Sequence, residues 1–332
     1  MIKKFSFLLA VLVVLFWPSC EIPQKRITKI TQVYFVYVGQ RVVPQQFVVA
    51  TSKVVTEPGD RTVTKVTNFS KGRIITTPSM SPDGGTIVFS NYSGQYWNLQ
   101  AVNIGKPGIK NITRGPWLDF WPTFGPEGKQ IYFCSNRASE SFRISRVSKN
   151  GIGGIGLINS GPDGVICVDI DKKGKMVFSA PNVQKTYQIW VADLNGGLST
   201  QLTVGEYPRW GFGKNEGKIL FSRKDPRTGF YQIWVMSMEG GDETKLTDSE
   251  GSNVNAVWAP DGERIAFASN RNQKGDLKYN YDIYEMKSDG SDVVRMTSNN
   301  AYDGYPMYSP DGKFIYFLSS RGESWNIWRI NR

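Results

Sequence analysis

From residue 62 onward, apolar and polar positions alternate at a period of two in short runs that end at turns. Trp97-Asn98-Leu99 and Tyr231-Gln232-Ile233 are examples. Such alternation marks strands with one buried face. The turns repeat as well. "SPDG" stands at residues 81–84 and 309–312, and "APDG" at 259–262. The closing glycine recurs at Gly84, Gly128, Gly174, Gly217, Gly262 and Gly312, at steps of 44, 46, 43, 45 and 50 residues. "GPDG" at 161–164 falls out of phase. Proline presets φ for such a turn and glycine accepts positive φ.

Three further columns keep step with the turns. An apolar strand brings Phe89, Phe133, Phe178, Phe221, Phe267 and Phe317. The next strand opens on Trp97, Phe142, Tyr187, Tyr231, Tyr281 and Trp325, each followed two residues later by an aliphatic: Leu99, Ile144, Ile189, Ile233, Ile283 and Ile327. A last strand ends on Thr113, Thr203, Thr247 or Thr297, with Asn159 in the second unit. Each unit therefore reads as a four-stranded antiparallel meander. One such sheet cannot bury both faces alone, whereas six arranged radially can. The predicted fold is all-β: a six-bladed β-propeller over residues 61–332. The sixth unit reaches Arg332 after only three strands, but Thr67 lies 46 residues before Thr113 and so begins the threonine column. A strand at 62–67 is expected to complete the last blade and leave no free edge between the ends.

The first residues carry Lys3 and Lys4, an apolar run from Phe5 to Trp17, then Ser19 and Cys20. That is the charged and apolar layout of an export signal, too short to count as a membrane span. Residues 1–19 resemble a bacterial lipoprotein signal, although Trp17 and Pro18 depart from its usual pattern. The resemblance implies lipidation of Cys20, and Glu21 after it implies sorting to the outer membrane, with the domain facing the periplasm or the cell surface. Residues 20–60 read as a tether or β-hairpin built from the strand-like runs at 32–38 and 45–55.

Histidine is absent, which excludes Ser-His-Asp and Cys-His chemistry and every imidazole metal site. The 40 basic and 29 acidic residues give a net charge of +11, which favours anionic partners. The basic residues are spread along the chain, with no dense run of the kind that contacts nucleic acid, so no nucleic-acid partner is expected. Cys134 and Cys167 both lie in strand-like runs. A disulfide is compatible with an exported chain; free cysteine packs as a small hydrophobe, which favours two buried thiols. "DIDKKG" at 169–174 has something of a calcium loop, but Lys173 stands at a ligand position and a hairpin turn is the simpler reading. No metal and no cofactor is expected.

"YPMYSPDGKFIYFLSSR" and "AVWAPDGERIAFASNR" resemble the TolB-like propeller repeat of bacterial envelope proteins, and the resemblance covers residues 62–332. It implies the propeller, and an envelope protein or peptide as partner, of the peptidoglycan-associated lipoprotein type. TolB carries an α/β domain before its propeller, for which residues 20–60 are too few; contact with the TolA partner is therefore not implied. Lyases on similar repeats rely on histidines that this chain lacks.

With this strand order, the fourth-to-first and second-to-third connections share one face of the disc. They bring Trp117, Asp119 and Trp121; Glu206 and Tyr207; Tyr302, Asp303 and Tyr305; and Arg137, Arg271 and Arg321. Aromatics with arginine suit a protein contact, and aromatics with carboxylates suit a sugar. An acid, an aromatic and proline recur as "DFWP", "GEYP" and "DGYP", so a packing role between blades is equally open for Trp121, Tyr207 and Tyr305, and a bridge between neighbouring blades for the arginines. The expectation is a non-catalytic, lipid-anchored interaction module of the cell envelope. An anionic-glycan or peptidoglycan binder is the alternative. A glycosidase using only carboxylates such as Asp119, Glu206 and Asp303 is the remoter one.

Overall fold

The Ser-Pro-Asp-Gly turn closes on itself through its own side chains. In a computed structural model of the chain, Ser81 Oγ donates to Asp83 Oδ1 at 2.5 Å and accepts from Thr86 N at 2.9 Å. Gly84 N reaches Ser81 O at 2.8 Å. Ser309 and Asp311 repeat the arrangement. Gly84 has φ +70, and a Cβ there would lie 2.9 Å from Pro310 Cδ of the next turn around the ring. Both the conformation and the contact require glycine.

The structure describes the backbone of residues 34–38 and 41–45, and residues 61–332 except 159–160, 196, 272, 274–279 and the side chain of 323. The expected leader at 1–19, Cys20, residues 46–55 of the second strand-like run, and Asn159 lie outside the described residues. Tyr34–Val38 pairs antiparallel with Arg41–Gln45, so the first run finds its partner four residues earlier than the sequence pattern suggests.

Six four-stranded antiparallel sheets follow in chain order. The innermost strands are Ile75–Met80, Asp119–Phe124, Ile166–Ile170, Glu206–Trp210, Asn253–Trp258 and Asp303–Tyr308. Each neighbours the next, and the last returns to the first, which closes the ring. The expected closing strand is present. Val63–Lys65 pairs with Asn326–Asn331, with Ile330 opposite Val63 and Trp328 opposite Lys65. The all-β, six-bladed propeller closed by an N-terminal strand is therefore the observed fold.

The sequence columns have physical roles. The six column phenylalanines are all at most 1% exposed, between adjacent sheets. The threonine and aliphatic columns meet: the N–H of Ile327, Leu99, Ile233 and Ile283 donates to the hydroxyl of Thr67, Thr113, Thr247 and Thr297 at 2.8–3.0 Å. Threonine thus satisfies a strand N–H that the short outer strand leaves unpaired.

Candidate functional site

Every innermost strand carries a bulge, and in each one a non-glycine residue adopts the left-handed conformation: Thr77, Trp121, Cys167, Tyr207, Asn255 and Tyr305, with φ between 46 and 56°. Such conformations cost about 1–3 kcal/mol each and persist only where surrounding packing imposes them. Trp121 and Tyr207 are buried, and Tyr305 is half-buried.

The ladder position one residue before the bulge lies beside the column aromatics of two adjacent blades in blade two. Phe120 stands there, with ring centroids 5.0 Å from Trp97 and 6.0 Å from Phe142. At Gly304 the place is instead taken by Tyr302, whose hydroxyl and ring occupy the space that a Cβ there would need. Its ring packs 5.8 Å from Tyr281 and 5.5 Å from Trp325. Ladder register gives Thr76, Ile166 and Val254 the same place in blades one, three and five. Blade four puts Glu206 there, opposite Ser222. Around the ring these contacts link Trp97, Phe120, Trp121 and Phe142 in one group, Tyr281, Tyr302 and Trp325 in a second, and Glu206 with Tyr231 in a third.

Asp119 and Asp303 are fully buried. Asp303 accepts from Ser319 Oγ at 2.5 Å, Arg321 Nη2 at 2.5 Å and Asn299 Nδ2 at 3.0 Å. Asp119 accepts from Ser135 Oγ at 2.6 Å and from Arg137 Nη2 at 2.6 and 2.8 Å. In blade five, Asn253 holds Ser269 Oγ and Arg271 Nη2 in the same way, at 2.8 and 2.6 Å. In these contacts the three arginines tie strands within their own blade. Their guanidinium groups also lie over column phenylalanines: Arg137 5.6 Å from Phe133, Arg271 5.1 Å from Phe267 and Arg321 5.2 Å from Phe317. Arg137 also lies 5.9 Å from the ring of half-buried Trp117. Sequence reading missed this triad, although its offsets of 16 and 18 residues recur three times.

Asp169 accepts from Trp210 N at 2.9 Å and Thr123 Oγ1 at 3.3 Å, and the charged Arg209 lies beside it. Asp171 caps the following turn through Lys173 N and Lys175 N, so 169–174 is a hairpin. Cys134 and Cys167 are free and buried, and burial pushes both thiols up. Among the described residues no three acids and cysteines cluster as a metal site.

Glu206 is half-buried, with Oε1 accepting from Tyr231 Oη at 2.9 Å. Burial pushes its carboxyl up to about 7, against the lowering effects of Tyr231 and Lys224. The unfolded chain ionises this carboxyl near the ordinary value of about 4.3. Its contribution to stability is thus full below that value and lost as pH rises to 7. Glu206→Gln is expected to gain stability relative to the wild type between about pH 5 and 8. The gain is on the order of 2 kcal/mol, because each tenfold change in an ionisation constant is worth about 1.4 kcal/mol and solvent reaching a half-buried group trims the sum. Urea midpoints at the two pH values measure it; a difference that does not change with pH would refute it.

The architecture defines a class: six-bladed β-propellers of four-stranded antiparallel blades whose ring is closed by an N-terminal strand. Within that class, part of the chain is similar to TolB. Residues 215–332 match the TolB β-propeller domain. Over 57 residues the chain is 39% identical to the Tol-Pal system protein TolB of Francisella tularensis; the match covers 17% of this chain and only 13% of that relative's length. A structure assigned to TolB of Agrobacterium tumefaciens superposes with a TM-score of 0.60 at 18% identity, covering 80% of this chain and 92% of that one. An oligogalacturonate lyase of Vibrio parahaemolyticus gives 0.55 at 12% identity, over 85% and 98%. At these identities the structural likeness is one of fold.

Proposed function

We propose that the chain is a non-catalytic, lipid-anchored interaction module of the cell envelope that docks a protein or peptide on the loop face, over the channel. One observation carries this reading: partly exposed aromatics on that face are held in place before any partner arrives. Trp117 sits under Arg137, with its carbonyl accepting from Trp97 N at 3.0 Å. Tyr302 is clamped between Tyr281 and Trp325. Rigid aromatic anchors bind at low entropic cost. Trp117, Tyr302 and Tyr305 would touch the partner, and Trp121 and Tyr207 would support them. The buried Asp119 and Asp303 would hold the rim through Arg137 and Arg321, with Arg271 doing so in blade five. The name of the Francisella relative points to a Tol-Pal type assembly, and a partner of the peptidoglycan-associated lipoprotein type is the corresponding proposal. Export, anchoring through Cys20 and outer-membrane placement belong to the same reading.

A carboxylate-only hydrolase is disfavoured by the site itself. Asp119 and Asp303, the other two acids of that reading, are each sealed against an arginine and are not free to act with Glu206. The net charge of +11 keeps an anionic glycan as the second reading.

Crosslinking in cells, affinity capture and mass spectrometry test the proposal. Wild type is expected to capture one envelope protein, and the Trp117→Ala, Tyr302→Ala double variant to lose it by about tenfold or more, as for a pair of aromatic hot spots. Undiminished capture by the double variant would move the interface off this face. Co-purifying glycan, released steeply by salt, would favour the second reading.

A further inference from the structure

The ladder positions one residue before the bulge offer an internal comparison. Five are filled by Thr76, Phe120, Ile166, Val254 and Tyr302, none of which ionises near neutral pH. The sixth is the Glu206 carboxylate, set among Tyr187, Tyr207 and Tyr231. Among the described residues only Oε1 is engaged, by Tyr231. Two buried hydroxyls close by lack a hydrogen-bond partner there: Tyr187 Oη, whose ionisation Glu206 opposes, and Ser222 Oγ, directly across the ladder. A buried hydroxyl without a partner costs free energy. Here two of them flank a carboxylate.

The chain's own cations do not complete the site. Arg223 lies over Phe221, as the triad arginines lie over their phenylalanines, but it donates to Glu243, Thr203 Oγ1 and the Val204 carbonyl. Lys224 is exposed and forms no ion pair with Glu206 among the described residues.

We propose that Glu206, Tyr187 and Tyr231 form a subsite for a primary ammonium group, the end of a lysine side chain that the docked partner inserts into the channel mouth. The proposal rests on the docking reading above and names the chemistry of the partner's contact. An ammonium carries three donors and no acceptor, matching the second oxygen of Glu206 and the hydroxyl oxygens of Tyr187 and Ser222. The tyrosine rings offer it their faces and pack its methylene stem. The net positive charge of the chain makes this a short-range contact, made after encounter rather than by long-range steering.

Binding requires the carboxylate, so affinity rises with pH through the titration of Glu206. The groups that face it are Tyr231, Lys224, Tyr187, Tyr207 and Cys167. Burial holds the tyrosine and cysteine protons well above neutrality. The change near neutral pH therefore belongs to Glu206.

The test uses the whole chain with labelled tyrosine rings and N-acetyl-lysine methylamide as probe, followed by NMR. Expected are saturable shifts of the Tyr187 and Tyr231 rings that weaken below neutral pH and are absent with the ε-acetylated probe. Glu206→Gln, close in shape, weakens binding about tenfold or more, and Tyr187→Phe, which removes only a hydroxyl, weakens it by a smaller factor. No shift with the wild type, or equal binding by Glu206→Gln, overturns the subsite. A guanidinium probe that binds better would reassign it to arginine and overturn the ammonium claim. Capture in cells separates this failure from that of the docking reading. If Glu206→Gln captures the partner normally while the probe does not bind, only the subsite falls. If the Trp117→Ala, Tyr302→Ala variant still captures it, docking on this face falls whatever the probe does.

Discussion

Asp303→Ala lowers stability by about 3–5 kcal/mol, the range for removing one partner of a buried ion pair. The carboxylate is fully buried, and its loss takes the acceptor from Arg321 Nη2, Ser319 Oγ and Asn299 Nδ2 together. The guanidinium side chain is only 13% exposed, so water cannot readily replace the carboxylate. Asp303→Asn should cost clearly less, because the protein already runs this experiment in blade five. There Asn253 Oδ1 takes both Ser269 Oγ and Arg271 Nη2. Urea midpoints at unchanged slope report both variants. If alanine costs no more than asparagine, the triad adds little to stability and its arginine serves mainly as a lid on Phe317.

The same contrast between blades separates what was legible in the chain from what was not. The turn, phenylalanine and threonine columns are written in residue types, because each blade needs the same local chemistry at the same place. Even the closing strand could be found, since Thr67 must accept from Ile327 N as Thr113 accepts from Leu99 N. The left-handed bulge could not be read from residue types. Its six residues are threonine, tryptophan, cysteine, two tyrosines and asparagine, and tertiary packing rather than local preference imposes the conformation. One signal was available: four of the six precede proline, at Pro78, Pro122, Pro208 and Pro306. The acids misled for a related reason. Asp119 and Asp303 stand two residues before the bulge and point into their triads, whereas Glu206 stands one before it and meets Tyr231. A one-residue shift on a strand reverses the face, so three acids that look alike in sequence do two different jobs.

A chain beginning at residue 68 is expected to lose more than about 3 kcal/mol relative to one beginning at residue 61, and to self-associate. The truncation removes Val63–Lys65 and Thr67, and with them the acceptor for Ile327 N and the donors into Ile327 O from Val66 N and Thr67 N. Fully buried Asn326 would also lose Thr67 Oγ1 from its Oδ1, keeping Phe69 N at 2.8 Å. Each buried polar group left unsatisfied costs about 1–3 kcal/mol, before counting Val63 and Val66, which pack against two different cores. Asn326–Asn331 would then be an open edge, a template for pairing with another chain. The point variant Asn326→Ala keeps the strand but removes the acceptor of Phe69 N and Thr67 Oγ1, and should fall between the two chains. Urea unfolding and sedimentation velocity decide it. If the chain from residue 68 unfolds at the same urea concentration and stays monomeric, the ring is held by its innermost strands alone. The return of Asp303–Tyr308 to Ile75–Met80, rather than the shared sixth blade, would then be the closure that matters.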